Sequence, residues 1–221
     1  MIQLRDLACD SPEGRPLLEG LDLAVPKGGN LLVTGASGSG KSRLLRAIAG
    51  TERPRRGEVR IAGIAIWPGD GVLSLAGRVR VGFAFPAGGL LSNLSLEANV
   101  ALPLRFLGLP PAEVARRAGA ALERLGLQSV SRLRPHAVSG SARKHANLAR
   151  VLALEPQLVL LDEPLEGLDT ADRAVAQDLV EAWAGDSACT LVMALEEAQA
   201  FATLDAERLH LSPVAMPMES T

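Results

Sequence analysis

Eight consecutive residues, Gly35-Ala36-Ser37-Gly38-Ser39-Gly40-Lys41-Ser42, have the types and spacing to hold a polyphosphate. A triphosphate is a dense anion that backbone N–H groups must approach closely, and glycines remove the Cβ atoms that would stand in the way. The Lys41 ammonium suits the outer phosphates, and the Ser42 hydroxyl suits Mg²⁺. Asn30 to Thr34 reads as a short buried strand and Ser42 to Ile48 as a helix, so the anion would sit on a helix N-terminus. Lys41 is one of only three lysines, with Lys27 and Lys144, among 23 basic residues. A compact ammonium here stands out against a background of arginine.

A second group complements the first. Leu158-Val159-Leu160-Leu161 is a continuous apolar run ending in Asp162-Glu163. A parallel strand buried on both faces has this appearance, and its carboxyl end opens into the ligand crevice of an α/β sheet. Asp162 is suited to hold Mg²⁺ through water, and Glu163 to orient or deprotonate an attacking water.

These residues need a frame. The first thirty residues alternate apolar and polar, as β-structure does. Glu58 to Trp67 and Arg78 to Phe85 are strand-like. From Ser95 to Leu125 the period is helical, broken at Pro110-Pro111, and another helix runs from near Ser139 to Leu154. Gln157 to Leu161 predicts a strand and Asp169 to Ala184 a helix capped by Asp169 or Thr170. Cys189 to Leu195 predicts a strand, Glu196 to Leu204 a helix and Glu207 to Leu211 a last strand. The expected layout is a β-rich start, an α/β core, a helical insertion and a return to α/β. It makes residues 1–221 one domain, with 1–85 and 150–212 as β-subdomain and core, 86–149 as helical subdomain, and 213–221 as a frayed tail.

A formal net charge of −2 argues against a nucleic-acid surface. No apolar run reaches the ~20 residues of a membrane helix, so any membrane role is expected to be peripheral. Cys9 and Cys189 lack metal-ligand spacing and read as reduced core residues.

Taken together, these motifs resemble the nucleotide-binding subunit of ATP-binding-cassette transporters. The resemblance spans almost the whole chain. Besides the phosphate loop and Asp162-Glu163, it includes Val138-Ser139-Gly140-Ser141-Ala142 ahead of Leu148-Ala149-Arg150, placed as the family's L-S-G-G-Q signature. It also includes Glu166-Gly167-Leu168-Asp169, placed as the family's subunit-contacting segment. The resemblance implies an α/β P-loop NTPase fold: a RecA-like parallel sheet flanked by helices, an N-terminal antiparallel β subdomain and an inserted α-helical subdomain. It implies ATP and Mg²⁺ as ligands and Glu163 as the catalytic carboxylate. Ser139, Gly140 and Ser141 would press on the ATP of a second copy or of a homologous ATPase subunit. A multi-spanning membrane permease would be the other partner, on the cytoplasmic face of the inner membrane. The stretches Phe85 to Ser95 and Asn99 to Arg105 look most like the lipid-asymmetry (Mla-type) phospholipid transporters, with lipoprotein-releasing ATPases sharing parts of the pattern. The apolar loop from Ala87 to Leu94 would meet the permease.

Four departures from the family pattern stand out. Pro86 occupies the place of a glutamine that senses Mg²⁺ and water, and proline offers neither amide nor N–H. Ser141 and Ala142 replace Gly and Gln of the signature. Glu196 stands where a histidine would contact the γ-phosphate. No aromatic precedes Trp67, so the usual adenine platform is missing. His136, His145 and His210 read as surface or structural. Competent hydrolysis, a slow or non-hydrolysing subunit paired with an active ATPase, and a soluble cassette protein are the alternatives these features leave open.

Overall fold

The computed structural model describes residues 1–86, 89–196 and 199–212. The expected tail at 213–221, and Ala87 and Gly88 of the expected docking loop, lie outside the described residues.

The chain opens with β1 (Ile2–Asp10) and β2 (Pro16–Val25), followed by β3 (Asn30–Thr34) and α1 (Lys41–Ile48). The strand-like stretch over 58–67 comprises two strands, β4 (Arg56–Ile61) and β5 (Ile64–Trp67). The chain reverses between them through Ala62 and Gly63, both at positive φ. Next come β6 (Val81–Ala84), α2 (Leu96–Phe106), α3 (Pro111–Arg124) and α4 (Gly140–Ala153), then β7 (Leu158–Asp162), α5 (Thr170–Gly185), β8 (Thr190–Leu195) and β9 (Glu207–His210). The helix expected over Glu196 to Leu204 appears among the described residues only as a 3₁₀ turn at Gln199–Phe201. Phe201 and Leu204 supplied an apolar spacing, but a single turn suffices to bury Phe201.

Local chemistry sets the helix starts. Ser95, Ser139 and Asp169 each accept a hydrogen bond from the N–H three residues on, as N-caps. Pro111 opens α3 at a position where its missing N–H costs nothing. α1 begins at Lys41 rather than Ser42 and has no side-chain cap.

β2, β1, β4 and β5 form an antiparallel sheet; β6, β7, β8, β3 and β9 form a parallel one in that order. The two sheets and α1 enclose a core of Leu31, Val33, Leu44, Leu45, Ile48 and Val59. A second core lies under α2 to α5 on the other face of the parallel sheet. This is the α/β P-loop arrangement expected, a parallel sheet flanked by helices with an antiparallel β subdomain.

Register decides what meets at the sheet's carboxyl end. Asp162 of β7 pairs with Ala194, and Thr34 of β3 with Leu195, on opposite sides of β8. The phosphate loop after β3, the acidic pair ending β7 and Glu196 after β8 therefore emerge level with one another. Ala84 pairs with Leu161, which brings Pro86 to the same end.

Candidate functional site

A cavity of about 410 Å³ opens at this end of the sheet. Ser37, Gly38, Gly40, Lys41 and Ser42 line one side; Pro86, Asp162, Glu163 and Glu196 line the other. Gly35, Ala36 and Ser39 complete the loop behind them. Gly35, at φ 149°, must lack a Cβ: one would run into the carbonyl of Leu211 and the Ser39 hydroxyl. Gly40, at φ 98°, turns the chain into α1. With no side-chain cap, the first N–H groups of α1 keep their hydrogen-bonding capacity and face the cavity as an anion seat.

Lys41 is buried, and its Nζ donates to the carbonyls of Gly35 and Ala36 at 2.7 and 3.1 Å. It lies 3.8 Å from Glu163. The loop thus holds its ammonium at the acidic end. Asp162 is 1% exposed, and neither of its carboxylate oxygens has a hydrogen-bond partner. Burial pushes its pKa up; the nearby Ser42 hydroxyl, Arg46, Lys41 and Lys144 oppose the shift, though no donor closes a hydrogen bond of full geometry. A buried, unpartnered carboxylate beside a hydroxyl fits a Mg²⁺ ion shared with substrate phosphates. Among the described residues no cluster of three His, Cys, Asp or Glu forms a closed metal cage.

Glu163 sits at φ 46°, a left-handed conformation rare outside glycine, and its N–H donates to the carbonyl of Ala194 at 3.0 Å. Its pKa is raised, first by burial; Lys41 pulls the other way, while Asp162, Glu166 and Glu196 push it further up. A carboxylate made more basic in this way is, as the anion, suited to take a proton from water.

Ser139, Gly140 and Ser141 are not in this cavity. Ser139 caps α4, and Ser139 and Gly140 are exposed at its N-terminus. The chain brings together the phosphate loop, the acidic pair, Pro86 and Glu196, and leaves the signature residues free.

Several residues escaped the sequence reading. Arg43 and Arg46 line the cavity from α1, at helical spacing behind Lys41, which was a usable signal. Pro12 and Leu17 reach it from the β1–β2 hairpin, and no local pattern announces that. Glu166 lines it in the same chain. α4 supplies a further set. Lys144 donates to the Glu166 carbonyl at 2.9 Å, Asn147 to that of Phe85 at 2.9 Å and Arg150 to that of Gly89 at 2.8 Å. His145 is buried against the Asp172 carbonyl at 3.1 Å, a structural role as expected; His210 contacts Thr34, and His136 is exposed. Cys9 and Cys189 are free and buried, and burial pushes both thiols up to about 11.

A glycine-rich loop feeding an uncapped helix, level with a buried acidic pair on a parallel sheet, defines a P-loop nucleoside-triphosphatase. More narrowly, the chain belongs to the ABC transporter family, whose model matches residues 18–166. It is 35% identical over 185 residues to the lipoprotein-releasing system ATP-binding protein LolD of Chromohalobacter salexigens, covering 83% of this chain and 78% of that one. It is 36% identical over 202 residues to the methionine import ATP-binding protein MetN of Caulobacter vibrioides, covering 89% of this chain but only 60% of that relative. The fold matches the dimeric post-hydrolysis ATP-binding cassette MJ0796, bound to ADP and Pi, with a TM-score of 0.88 over 97% of both chains at 25% identity. The chain is thus an ATPase cassette whose nucleotide is ATP with Mg²⁺.

Proposed function

We propose that this chain is the ATP-hydrolysing subunit of a bacterial lipid transporter, seated on the cytoplasmic face of the inner membrane against a multi-spanning permease. Residues 1–221 act as one ATPase domain, with the segment 86–149 as its helical arm. The observation that carries the reading is the orphaned Asp162 carboxylate facing the uncapped N-terminus of α1 across one cavity. Lys41 and the N–H groups of residues 35–42 bind the phosphates. Ser42 and Asp162 hold Mg²⁺, which when bound neutralises phosphate charge. Glu163 orients the attacking water and accepts its proton. Ser139, Gly140 and Ser141 of one copy close over the nucleotide of another, in keeping with their absence from their own cavity and the exposure of Ser139 and Gly140.

The permease reading is supported by an apolar groove of about 270 Å³ between β6, α2 and α4. Phe83, Phe85, Leu102 and Leu154 line it, with Phe106 84% exposed at its rim. Leu91 is exposed, whereas Leu90 packs partly against the helical core. The lipid reading is favoured by the Phe85 to Ser95 pattern and by likeness to a lipoprotein-releasing relative.

The test is reconstitution with a candidate membrane subunit. Phospholipid vesicles should stimulate ATP hydrolysis, and Lys41→Ala should abolish nucleotide binding. Stimulation by methionine and not by phospholipid would refute the lipid assignment. Phe106→Asp with Leu91→Asp should release a folded, ATP-binding chain from the membrane; continued attachment would refute the docking site.

A further inference from the structure

Lys144 is a buried ammonium with no place in the phosphate chemistry. It lies in the second turn of α4, is 8% exposed and does not line the cavity. Burying an ammonium is costly unless its surroundings compensate. Its Nζ donates to the backbone carbonyl of Glu166 at 2.9 Å and not to a carboxylate. Burial lowers its pKa, while Glu166, Glu163 and Asp162 act to raise it, in keeping with a place close to the acidic end of the cavity.

The Glu166 carbonyl is the last link of a chain that runs back to Glu163. The Glu166 N–H donates to the Glu163 carbonyl at 3.3 Å, and the Glu163 N–H donates to the Ala194 carbonyl at 3.0 Å. Glu163 sits between these two bonds at φ 46°, a conformation that its surroundings must enforce. One bond ties it to β8. The other ties it to the turn 163–166, whose far end Lys144 holds. Leu165 and Leu168 anchor the apolar side of this segment in the helical core, but Glu166 and Gly167 are exposed. The Lys144 bond therefore fixes the polar corner of the turn to the interior. His145, the next residue of α4, contacts the Asp172 carbonyl at 3.1 Å. Consecutive side chains of one helix thus hold the chain on both sides of Asp169, the cap of α5.

We propose that Lys144 is a positioning residue for hydrolysis: through the Glu166 carbonyl and the turn 163–166, it holds the Glu163 carboxylate where it can meet the attacking water. The proposal rests on the reading of Glu163 as the carboxylate that orients this water. The phosphate loop binds the nucleotide from the facing side, so Lys144 acts on rate and not on affinity. Single-turnover hydrolysis and the Kd for Mg-ATP, measured on the full chain, test this. Lys144→Met keeps the length of the side chain and removes the donor. It should lower the rate at least about tenfold, as a misplaced catalytic group does, and change the Kd by less than about twofold. On a Glu163→Gln background the same substitution should change the residual rate by less than about twofold, because residues that act through one another are not additive. Lys144→Leu, which also lacks a donor, takes its place under the same criteria if Lys144→Met does not fold. A parent-like rate, equal losses on both backgrounds, a fall in affinity that matches the fall in rate, or failure of both variants to fold would overturn the positioning role. Hydrolysis at the parent rate by Glu163→Gln alone would overturn the reading of Glu163 instead.

Discussion

The side-chain amide of Asn147 donates to the carbonyl oxygen of Phe85 at 2.9 Å. This one contact ties α4, which starts at the signature residues, to the residue before Pro86 on the cavity wall. Arg150 reinforces it by donating to Asn147 at 2.6 Å and to Gly89 at 2.8 Å. Lys144 ties the same helix to Glu166 on the cavity's other lip. A shift of α4 would therefore be felt on both sides of the nucleotide.

Asn147→Ala should lower stability without touching nucleotide affinity. Asn147 is 1% exposed, and its loss removes the donor to the half-buried Phe85 carbonyl. That costs roughly 1–3 kcal/mol, or roughly 3–10 °C in melting temperature for a chain of this length. Phe85 does not line the cavity, so the Kd for Mg-ATP should change by less than about twofold. Thermal melts and calorimetry on the same preparation check both halves.

Hydrolysis should carry an acid limb set by Glu163. Burial, and then the carboxylates Asp162, Glu166 and Glu196, raise its pKa against the pull of Lys41. The anion that accepts a proton is lost as pH falls through that raised value. The limb should therefore lie above the ~4.3 of an ordinary glutamate. Glu196→Gln removes one like charge and should move the limb to lower pH. Glu163→Gln should abolish it and cut single-turnover rates by about 10²–10⁴ while Mg-ATP still binds. Rates measured across the mildly acidic range decide this; a limb unmoved by Glu196→Gln contradicts it.

Asp162→Asn should stabilise the nucleotide-free chain. Burial raises the Asp162 pKa in the folded state, so the native form binds more protons than the unfolded one. Stability is then lost as pH rises from the unfolded pKa through the folded one. A neutral amide removes that loss at neutral pH. A gain of ~1 kcal/mol would raise the melting temperature by about 2–4 °C, and the difference from the parent should shrink on acidification. The same substitution should remove the extra stabilisation that Mg²⁺ adds to bound ADP. Scanning fluorimetry with and without Mg²⁺ tests both effects.

The parent should hydrolyse slowly. Glu196 adds a carboxylate to the cavity and Pro86 offers it no donor. Removing one well-placed donor to a developing anion costs about 10²–10³ in rate. Glu196→His with Pro86→Gln should raise single-turnover hydrolysis at least about tenfold, and adding Glu163→Gln should erase the gain. A parent turnover of ~1–10 s⁻¹ in isolation would show that other groups already supply the donors.

What the sequence alone determined was whatever depends on neighbours along the chain. Gly35 to Ser42 is legible because a phosphate loop needs contiguous N–H groups. Leu158 to Glu163 is legible because a doubly buried strand has no polar alternation until it ends. Ser95, Ser139 and Asp169 announce helices because capping acts over three residues. Tertiary structure decided the rest. The register of β7, β8 and β3 sets Glu196 level with Asp162, and no local period encodes a register between strands so far apart in sequence. Pro12 and Leu17 reach the cavity from the β1–β2 hairpin, which the antiparallel sheet brings beside α1. Leu90 turned inward and Leu91 outward because packing against the helical core, not composition, settles which apolar side chain of a loop is covered. The bonds from Lys144, Asn147 and Arg150 join residues 22 to 62 positions apart. Local propensity carries no information at that range; only the packed interior, where most buried polar groups find a partner, assigns such pairs.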